Sequence, residues 1–550
     1  MMRFSDLRAK ISISSSSFAS IIASNQIYVD KTSYIYDLCV DNNFKFLSRP
    51  RRFGKSTIVA TLEELFSHGV KPYDGHDSYF KGLDIENLWK DPKTYKVIHL
   101  DFSLLNQNNL KDQKLFDEEF NQLLAKKATL VGFSYDFSLK ASENLKNILQ
   151  IASINEIVIL IDEYDFPLSS SIDNKEMFDY IANELKAIYS AIKSFAGKLR
   201  FVFVTGITRY KDAAFFTLGN TIKDISQEPE FAQIVGLTRD EIKKYYKEHL
   251  LYSISENYGI PKSKIKASIR EEFLDKLEEY YDGYSFDYDC SQKVFSTWSI
   301  LEFFSNPKAK FSNYWYSSAG TPTILVKNIN DIKYDAINLL EKKEIFVNED
   351  DFDNPTSFED MKAPVLLYQT GYLTFAEPKN EDGYFLKFPN REVRSSIQKL
   401  IYRQVFKDHE KSFEIKNSKL DVLLAPSDIV DYFNKILNLV DYEYYPITSE
   451  AAVVNCIYIF LKGEDKLNVI INNHSAKGRC DLQIDSKTRR LALEFKFANK
   501  ESDEDSLLEQ AKQQIIEKRY GQSADAKGEI MSIALVFSKE KRQITKFAQI

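Results

Sequence analysis

The amino-acid sequence predicts a modular α/β protein, and three observations carry that expectation. Alternation through Phe44, Phe46 and Ser48 reads as a short strand that runs into Gly54-Lys55-Ser56-Thr57 and then an amphipathic stretch, Ile58 to Phe66. A continuous apolar run, Ile157 to Ile161, ends in Asp162-Glu163-Tyr164-Asp165, as expected of a strand buried on both faces of a parallel sheet. Near the C-terminus one helical pattern is followed by three strand patterns, a second helix and a further strand.

At 550 residues the chain exceeds a single core, and a prior of roughly 150 residues per domain suggests about three units. Boundaries are expected at 1–235, 236–406 and 407–550. A hydrophobic content of 44% excludes a largely disordered chain. No stretch reaches the ~18 uninterrupted apolar residues of a bilayer span. Met1-Met2-Arg3-Phe4 leads into a Ser-rich run, which argues against a secretory leader. Cys39, Cys290, Cys456 and Cys480 lie far apart, and the six histidines show no ligand spacing, so a reduced, cytoplasmic setting is expected. The formal net charge of −7 excludes blanket coating of nucleic acid. From Lys477 onward there are 15 Lys/Arg against 12 Asp/Glu, which suits either a local phosphate-binding groove or an ordinary solvated face.

The Gly-Lys-Ser segment has the context of a phosphate-binding loop. Backbone N–H groups at a helix N-terminus hold phosphate oxygens, Lys55 adds a mobile charge, and the Ser56 hydroxyl coordinates Mg²⁺. Arg52, Phe53, Gly54, Lys55, Ser56 and Thr57 are therefore the expected nucleotide contacts. The general pattern places Gly five residues before Gly54, where this chain has Arg49, so the loop alone would equally suit a basic turn before an ordinary helix. The acidic pair raises its standing, because nucleotide sites in open α/β sheets form at the carboxyl ends of strands. Asp162 is expected to bind Mg²⁺ through water, and Glu163 to orient or deprotonate the attacking water. A third strand, Leu199 to Val204, ends in Thr205-Gly206-Ile207-Thr208-Arg209. Thr205 or Thr208 would reach the terminal phosphate or its water, and Arg209 would sense phosphate charge. Capping hydroxyls and a surface arginine explain those residues equally well.

The middle of the chain reads as helices: a capping box at Thr238 and Glu241, then Glu271 to Tyr281 stopped by Asp282-Gly283, then Phe295 to Phe304, with Phe311 to Tyr316 after it. Its aromatics are core at helical spacing, and a helical lid or winged-helix-like unit is expected. Acidic Asn348 to Asp353 reads as a loop, and Lys407 to Asp421 as a linker.

In the last module a helix, Thr448 to Lys462, carries Glu450 in its first turn. Strands follow at Leu467 to Asn472, Arg479 to Ile484 and Arg490 to Phe497, then a helix, Asp503 to Tyr520, and a strand, Ile530 to Phe537. Asp481 lies on the second strand, and period-two alternation puts Glu494 and Lys496 of the third on one face. Two carboxylates can hold Mg²⁺ or Mn²⁺ at a phosphate while a lysine positions or activates water, and Glu450 would add a further ligand. Charge alternation on a solvated strand is the plainer reading of Asp…Glu-x-Lys taken alone.

Longer motifs carry a resemblance. Tyr28-Val29-Asp30-Lys31-Thr32, Arg49-Pro50-Arg51-Arg52-Phe53-Gly54-Lys55-Ser56, Leu160-Ile161-Asp162-Glu163-Tyr164-Asp165 and Thr205-Gly206-Ile207-Thr208-Arg209 closely resemble the bacterial AAA-ATPase-like family, whose members commonly end in a PD-(D/E)XK nuclease domain. In that family the arginine-rich loop replaces the Gly-initiated one, so Arg49 conforms. Tyr284, Trp298, Tyr314-Trp315, Gly320-Thr321-Pro322 and Phe388-Pro389-Asn390-Arg391-Glu392-Val393 are similar to its middle segment. The helix–three strands–helix–strand order resembles the PD-(D/E)XK core, with Gln510 and Gln514 on its Gln-bearing helix and Gln514 with Tyr520 at the best-fitting spacing. The resemblance implies ATP and Mg²⁺ as cofactors and a nuclease acting on nucleic acid, DNA before RNA, with an oligomer compatible. The alternative is a nucleotide switch whose nuclease-like domain grips nucleic acid or protein without cutting it.

Overall fold

The computed structural model describes residues 4–13, 15–41, 44–209, 222–317, 344–353, 361–397, 425–440, 442, 445–462, 468–475, 478–485, 489–520 and 529–550. The expected linker at Lys407 to Asp421 and Gly320-Thr321-Pro322 lie outside them. By compactness the chain divides into one unit of residues 1–330 and 344–393 and another of 331–343 and 394–550. Among the described residues no helix is long and apolar enough to cross a membrane.

The first unit is built on a five-stranded sheet of β1 (Phe44–Ser48), β2 (Lys96–Asp101), β3 (Ile157–Asp162), β4 (Leu199–Gly206) and β5 (Ile222–Asp224). Its order is β2-β3-β4-β1-β5 and every pairing is parallel. All six residues of β3 are buried, as its unbroken apolar run requires. β1 leads into the Lys55–His68 helix, and the chain between that helix and β3 includes the Gln113–Leu130 and Ala141–Ile151 helices. Because β4 lies between β1 and β3, the carboxyl ends of all three strands come together at one edge.

Beyond the sheet the unit turns helical. Thr238 and Glu241 form the expected reciprocal cap on the Arg239–Tyr245 helix, with bonds of 2.8 and 3.2 Å. The helices Lys247–Tyr258, Ala267–Tyr281 and Thr297–Ser305 bury Leu250, Phe273, Leu277, Tyr281 and Phe303 in one cluster, which also takes in Ile11. A small antiparallel sheet, β6 (Ile345–Asn348), β7 (Thr374–Phe375) and β8 (Gly383–Lys387), joins them in the order β6-β8-β7. The stretch expected as a loop is instead helical over Glu349–Asp353. Asn348 caps it, accepting from the Asp351 N–H at 2.7 Å, and the acids of its first turn complement the helix N-terminus.

The second unit contains the Pro426–Leu437 and Glu450–Lys462 helices and a sheet of β9 (Asn468–Ser475), β10 (Gly478–Asp485), β11 (Arg489–Ala498), β12 (Glu529–Ser538) and β13 (Gln543–Gln549), ordered β13-β12-β11-β10-β9. Among the described residues only the β11–β12 pair is parallel. Parallel neighbours need a crossover, and the Glu504–Lys518 helix supplies it, burying Ala511 and Ile515 against Ala492 and Ala534.

Candidate functional site

At the carboxyl edge of the first sheet, Gly54 opens the Lys55–His68 helix at φ 102°, a conformation glycine adopts without strain. Arg52 is also left-handed, at φ 74°. Lys55 is buried and its Nζ donates to the carbonyls of Arg49 at 2.9 Å and Pro50 at 3.0 Å. Burial lowers its pKa, opposed by the charges of Glu163, Asp162 and Asp165. Asp162 is buried at the end of β3; burial raises its carboxyl, while a hydrogen bond from Ser56 and the charge of Lys55 pull it back. Glu163 follows at φ 49°, its N–H on Asp162 Oδ1 at 2.9 Å and its carboxyl raised by burial. Lys55, Ser56, Asp162 and Glu163 therefore share one site. Thr57 lies on the helix's first turn, where its carbonyl accepts from the Thr61 hydroxyl at 2.7 Å.

Other loop residues are held by the helical region of the unit. The Phe53 ring is buried edge-on against Tyr284, Phe286 and Trp315, and its carbonyl accepts from Gly236 N–H and Thr297 Oγ1, both at 3.0 Å. Arg52 donates to the Trp315 carbonyl and lies over the Trp315 ring at 5.3 Å. The Phe53 ring is thereby committed to the core, and one guanidinium nitrogen of Arg52 to the Trp315 carbonyl. Arg49, standing where the general pattern has Gly, is a buried strut that donates to the carbonyls of Ser48, Ser226 and Phe231; burial brings its pKa down to about 10.

The residues at the end of β4 and after it are also engaged within the protein. Thr205 Oγ1 donates to the Leu47 carbonyl at 2.8 Å, stitching β4 to β1. The Thr208 hydroxyl and N–H both donate to Asp165 Oδ2, at 2.6 and 2.8 Å. Arg209 pairs with Asp224 at 2.9 Å and Asp353 at 3.3 Å. Asp165 is a residue that sequence reasoning misses. It anchors the turn after β4, and a Cβ on Gly206 would strike its carboxylate and the Tyr164 ring.

In the second unit Leu482 pairs with Leu493, so Asp481 and Glu494 are the next residues along their strands. Asp481 Oδ2 accepts from the Phe495 N–H at 2.8 Å. Lys496 Nζ donates to Glu494 Oε1 at 2.9 Å and lies 3.6 Å from Glu450 Oε2. Glu494 is buried and its Oε2 has no hydrogen-bond partner. Burial, then the charge of Asp481, pushes its carboxyl up to about 7, against the pull of Lys496. Burial likewise raises Glu450. On Lys496 burial acts downward but is outweighed by the surrounding carboxylates, and the net shift is upward. Tyr520 is buried within electrostatic reach of Glu494 and Asp481. Gln514 has a buried Oε1 without a partner, whereas Gln510 is exposed. Among the described residues no three His, Cys, Asp or Glu side chains close into a metal-ligand set; Lys496 reaches both Glu450 and Glu494.

Two segments of the chain are similar to known families. Residues 12–216 match the family model described as a predicted AAA-ATPase, and residues 448–547 match that of the PD-(D/E)XK nuclease superfamily. A protein of Azotobacter chroococcum mcd 1, known as an uncharacterized protein in the vnfD 5' region, is 24% identical over 98% of each chain. That similarity spans both matched segments and the region between them.

Proposed function

We propose that this chain binds ATP with Mg²⁺ at the Gly-Lys-Ser loop and that its C-terminal unit is a divalent-metal-dependent nuclease acting on DNA. The strongest support is Glu494: a buried carboxyl raised to about 7, with one oxygen on Lys496 and the other unpartnered, beside the charges of Asp481 and Glu450. A carboxylate so destabilised gains most from a cation. Asp481 and Glu494, with Glu450, would hold the ion, which supplies polarisation of the scissile phosphate. Lys496 would then contact the attacked phosphate or orient the water.

At the loop, Ser56 and Asp162 would hold Mg²⁺, Lys55 would turn from its own loop's carbonyls to phosphate oxygens, and Glu163 would orient water. Arg52, Phe53 and Thr57 would contribute main-chain N–H groups. The nuclease match supports a nucleic-acid target, for which we take DNA, and four free cysteines suit a reducing cytoplasm.

The deciding experiment is cleavage of supercoiled, linear and single-stranded DNA with Mg²⁺ or Mn²⁺, with and without ATP. The parent should cut, and Lys496→Ala should lower the rate roughly 10²-fold or more. A parent that cuts none of them would leave a nucleotide-controlled binding protein.

A further inference from the structure

We infer that Gln369 is a positioning residue for hydrolysis: it closes the turn that frames Glu163, and so gives the middle of the chain control over the nucleotide site. The inference rests on the reading of Glu163 as the group that orients water.

Glu163 is left-handed at φ 49°, a conformation that costs free energy in any residue but glycine and persists only where its surroundings hold it. The hold comes from the turn that ends β4. Tyr164 N–H donates to the Thr205 carbonyl at 3.1 Å, and the Tyr164 hydroxyl donates to the Thr208 carbonyl at 2.8 Å. Asp165 receives the Ile207 N–H at 3.2 Å and both donors of Thr208 at 2.6 and 2.8 Å. The two residues after Glu163 are thus tied to residues 205–208, and Glu163 stands where that turn puts it.

Gln369 fixes the far end of the turn. Buried at the end of the Ala363–Gln369 helix, its Oε1 accepts from Arg209 N–H at 3.0 Å and its Nε2 donates to the Arg209 carbonyl at 2.9 Å. One amide therefore holds both main-chain groups of the residue that follows Thr208. The Arg209 side chain has no part in this, being committed to Asp224 and Asp353. Two residues beyond Gln369, Gly371 stands against the loop: a Cβ there would strike the Pro50 side chain, and the Pro50 carbonyl accepts from Lys55 Nζ at 3.0 Å. The end of one helix thus touches both the loop that carries Lys55 and the turn that frames Glu163. Residues 363–371 lie outside both segments that match known families. A group that orients water works only within hydrogen-bond reach of it, and a misplacement of about 1 Å can cost on the order of 10²-fold in rate. Loss of the Gln369 amide should reach rate before affinity, because the expected phosphate contacts belong to the loop and not to the turn.

The test uses the full chain, following Mg²⁺-dependent ATP hydrolysis in steady state and AMP-PNP binding by calorimetric titration. Gln369→Met keeps the length and packing of the side chain and removes both hydrogen bonds. It should lower kcat roughly 10- to 100-fold while KM and AMP-PNP affinity change less than about threefold. Gln369→Glu keeps the acceptor for Arg209 N–H and should recover part of the loss; it carries the same comparison if the Met variant does not fold. Equal losses in kcat and affinity, or a lower melting temperature with kcat and affinity unchanged, would make Gln369 a structural residue only and overturn the inference while leaving the nucleotide site standing. A parent that binds AMP-PNP and hydrolyses no ATP would overturn it too. A parent that binds no nucleotide would overturn the nucleotide reading and this one with it.

Discussion

The guanidinium of Arg52 donates to the carbonyl of Trp315, 263 residues further along the chain, and the N–H of that same Trp315 donates to the buried Glu392 carboxylate at 2.8 Å. The Gly-Lys-Ser loop is thus held from behind by residues remote in sequence. Trp298 N–H reaches the Arg52 carbonyl at 3.2 Å, and a Cβ on Gly371 would strike Pro50 and the Trp315 ring. Arg52, a non-glycine residue at positive φ, persists in the loop because this surround over-determines it. The helical region behind the loop therefore sets the loop's shape.

Glu392 gives that buttress a pH signature. It accepts from Ser299 Oγ at 2.7 Å and Trp315 N–H, and burial pushes its carboxyl up to about 7. A raised folded-state pKa means its contribution to stability is complete below the unfolded value and is lost as pH rises through about 7. Glu392→Gln removes the titration while keeping an acceptor. By urea unfolding the variant should gain on the parent by roughly 1–3 kcal/mol between pH 5 and pH 8. A constant difference across that range would show that Glu392 does not titrate there.

Asp165 should matter more to folding than to nucleotide contact. Its carboxylate receives the N–H groups of Ile207 and Thr208 and the Thr208 hydroxyl, all buried. Asp165→Ala leaves these donors without a partner and should cost roughly 2–4 kcal/mol, with Asp165→Asn milder. Denaturant midpoints of the two variants provide the measurement, and a loss under about 0.5 kcal/mol for Ala would refute the anchoring role.

Lys55→Ala should weaken ATP binding on the order of 10- to 100-fold, since it deletes a charge-assisted phosphate contact. Glu163→Gln should retain binding and slow hydrolysis by about 10²-fold or more. Unchanged ATP affinity in Lys55→Ala would sink the assignment of the loop. A parent without detectable hydrolysis would make ATP a ligand, not a substrate.

What is legible in the sequence is local. β1 with its following helix, the Thr238–Glu241 cap, and the shared face of Glu494 and Lys496 all follow from periodicity or short-range hydrogen bonding. β13 has no such signal: among the described residues it pairs only with β12, and Gln543, Thr545, Lys546 and Gln549 interrupt any apolar run. The engagement of Arg49, Arg52 and Phe53 is illegible for another reason. Ser226, Phe231, Tyr284 and Trp315, which hold them, are brought near only by tertiary folding. Asp165 is easily overlooked beside Asp162 and Glu163, because its partners, Ile207 and Thr208, follow the next strand of the sheet.

The C-terminal site makes the sharpest prediction, because its electrostatics connect metal affinity to pH. Glu494 can hold a cation only when ionised, and its carboxyl sits at about 7, chiefly through burial and then through Asp481. Mn²⁺ affinity, followed by electron paramagnetic resonance or calorimetry, should therefore climb from about pH 5.5 to about 7 and level off above about 8. Lys496 opposes the shift by hydrogen bonding to Oε1 at 2.9 Å. Replacing it with Ala removes that stabilisation of the carboxylate, so the midpoint should move to higher pH, by on the order of one unit. The direction separates two roles for the lysine. If it served only the water or the phosphate, Lys496→Ala would abolish cleavage and leave the Mn²⁺ profile where it was. If it also tunes Glu494, the profile moves with it. Mn²⁺ binding that is indifferent to pH in the parent would mean that Glu494 is not a ligand at all.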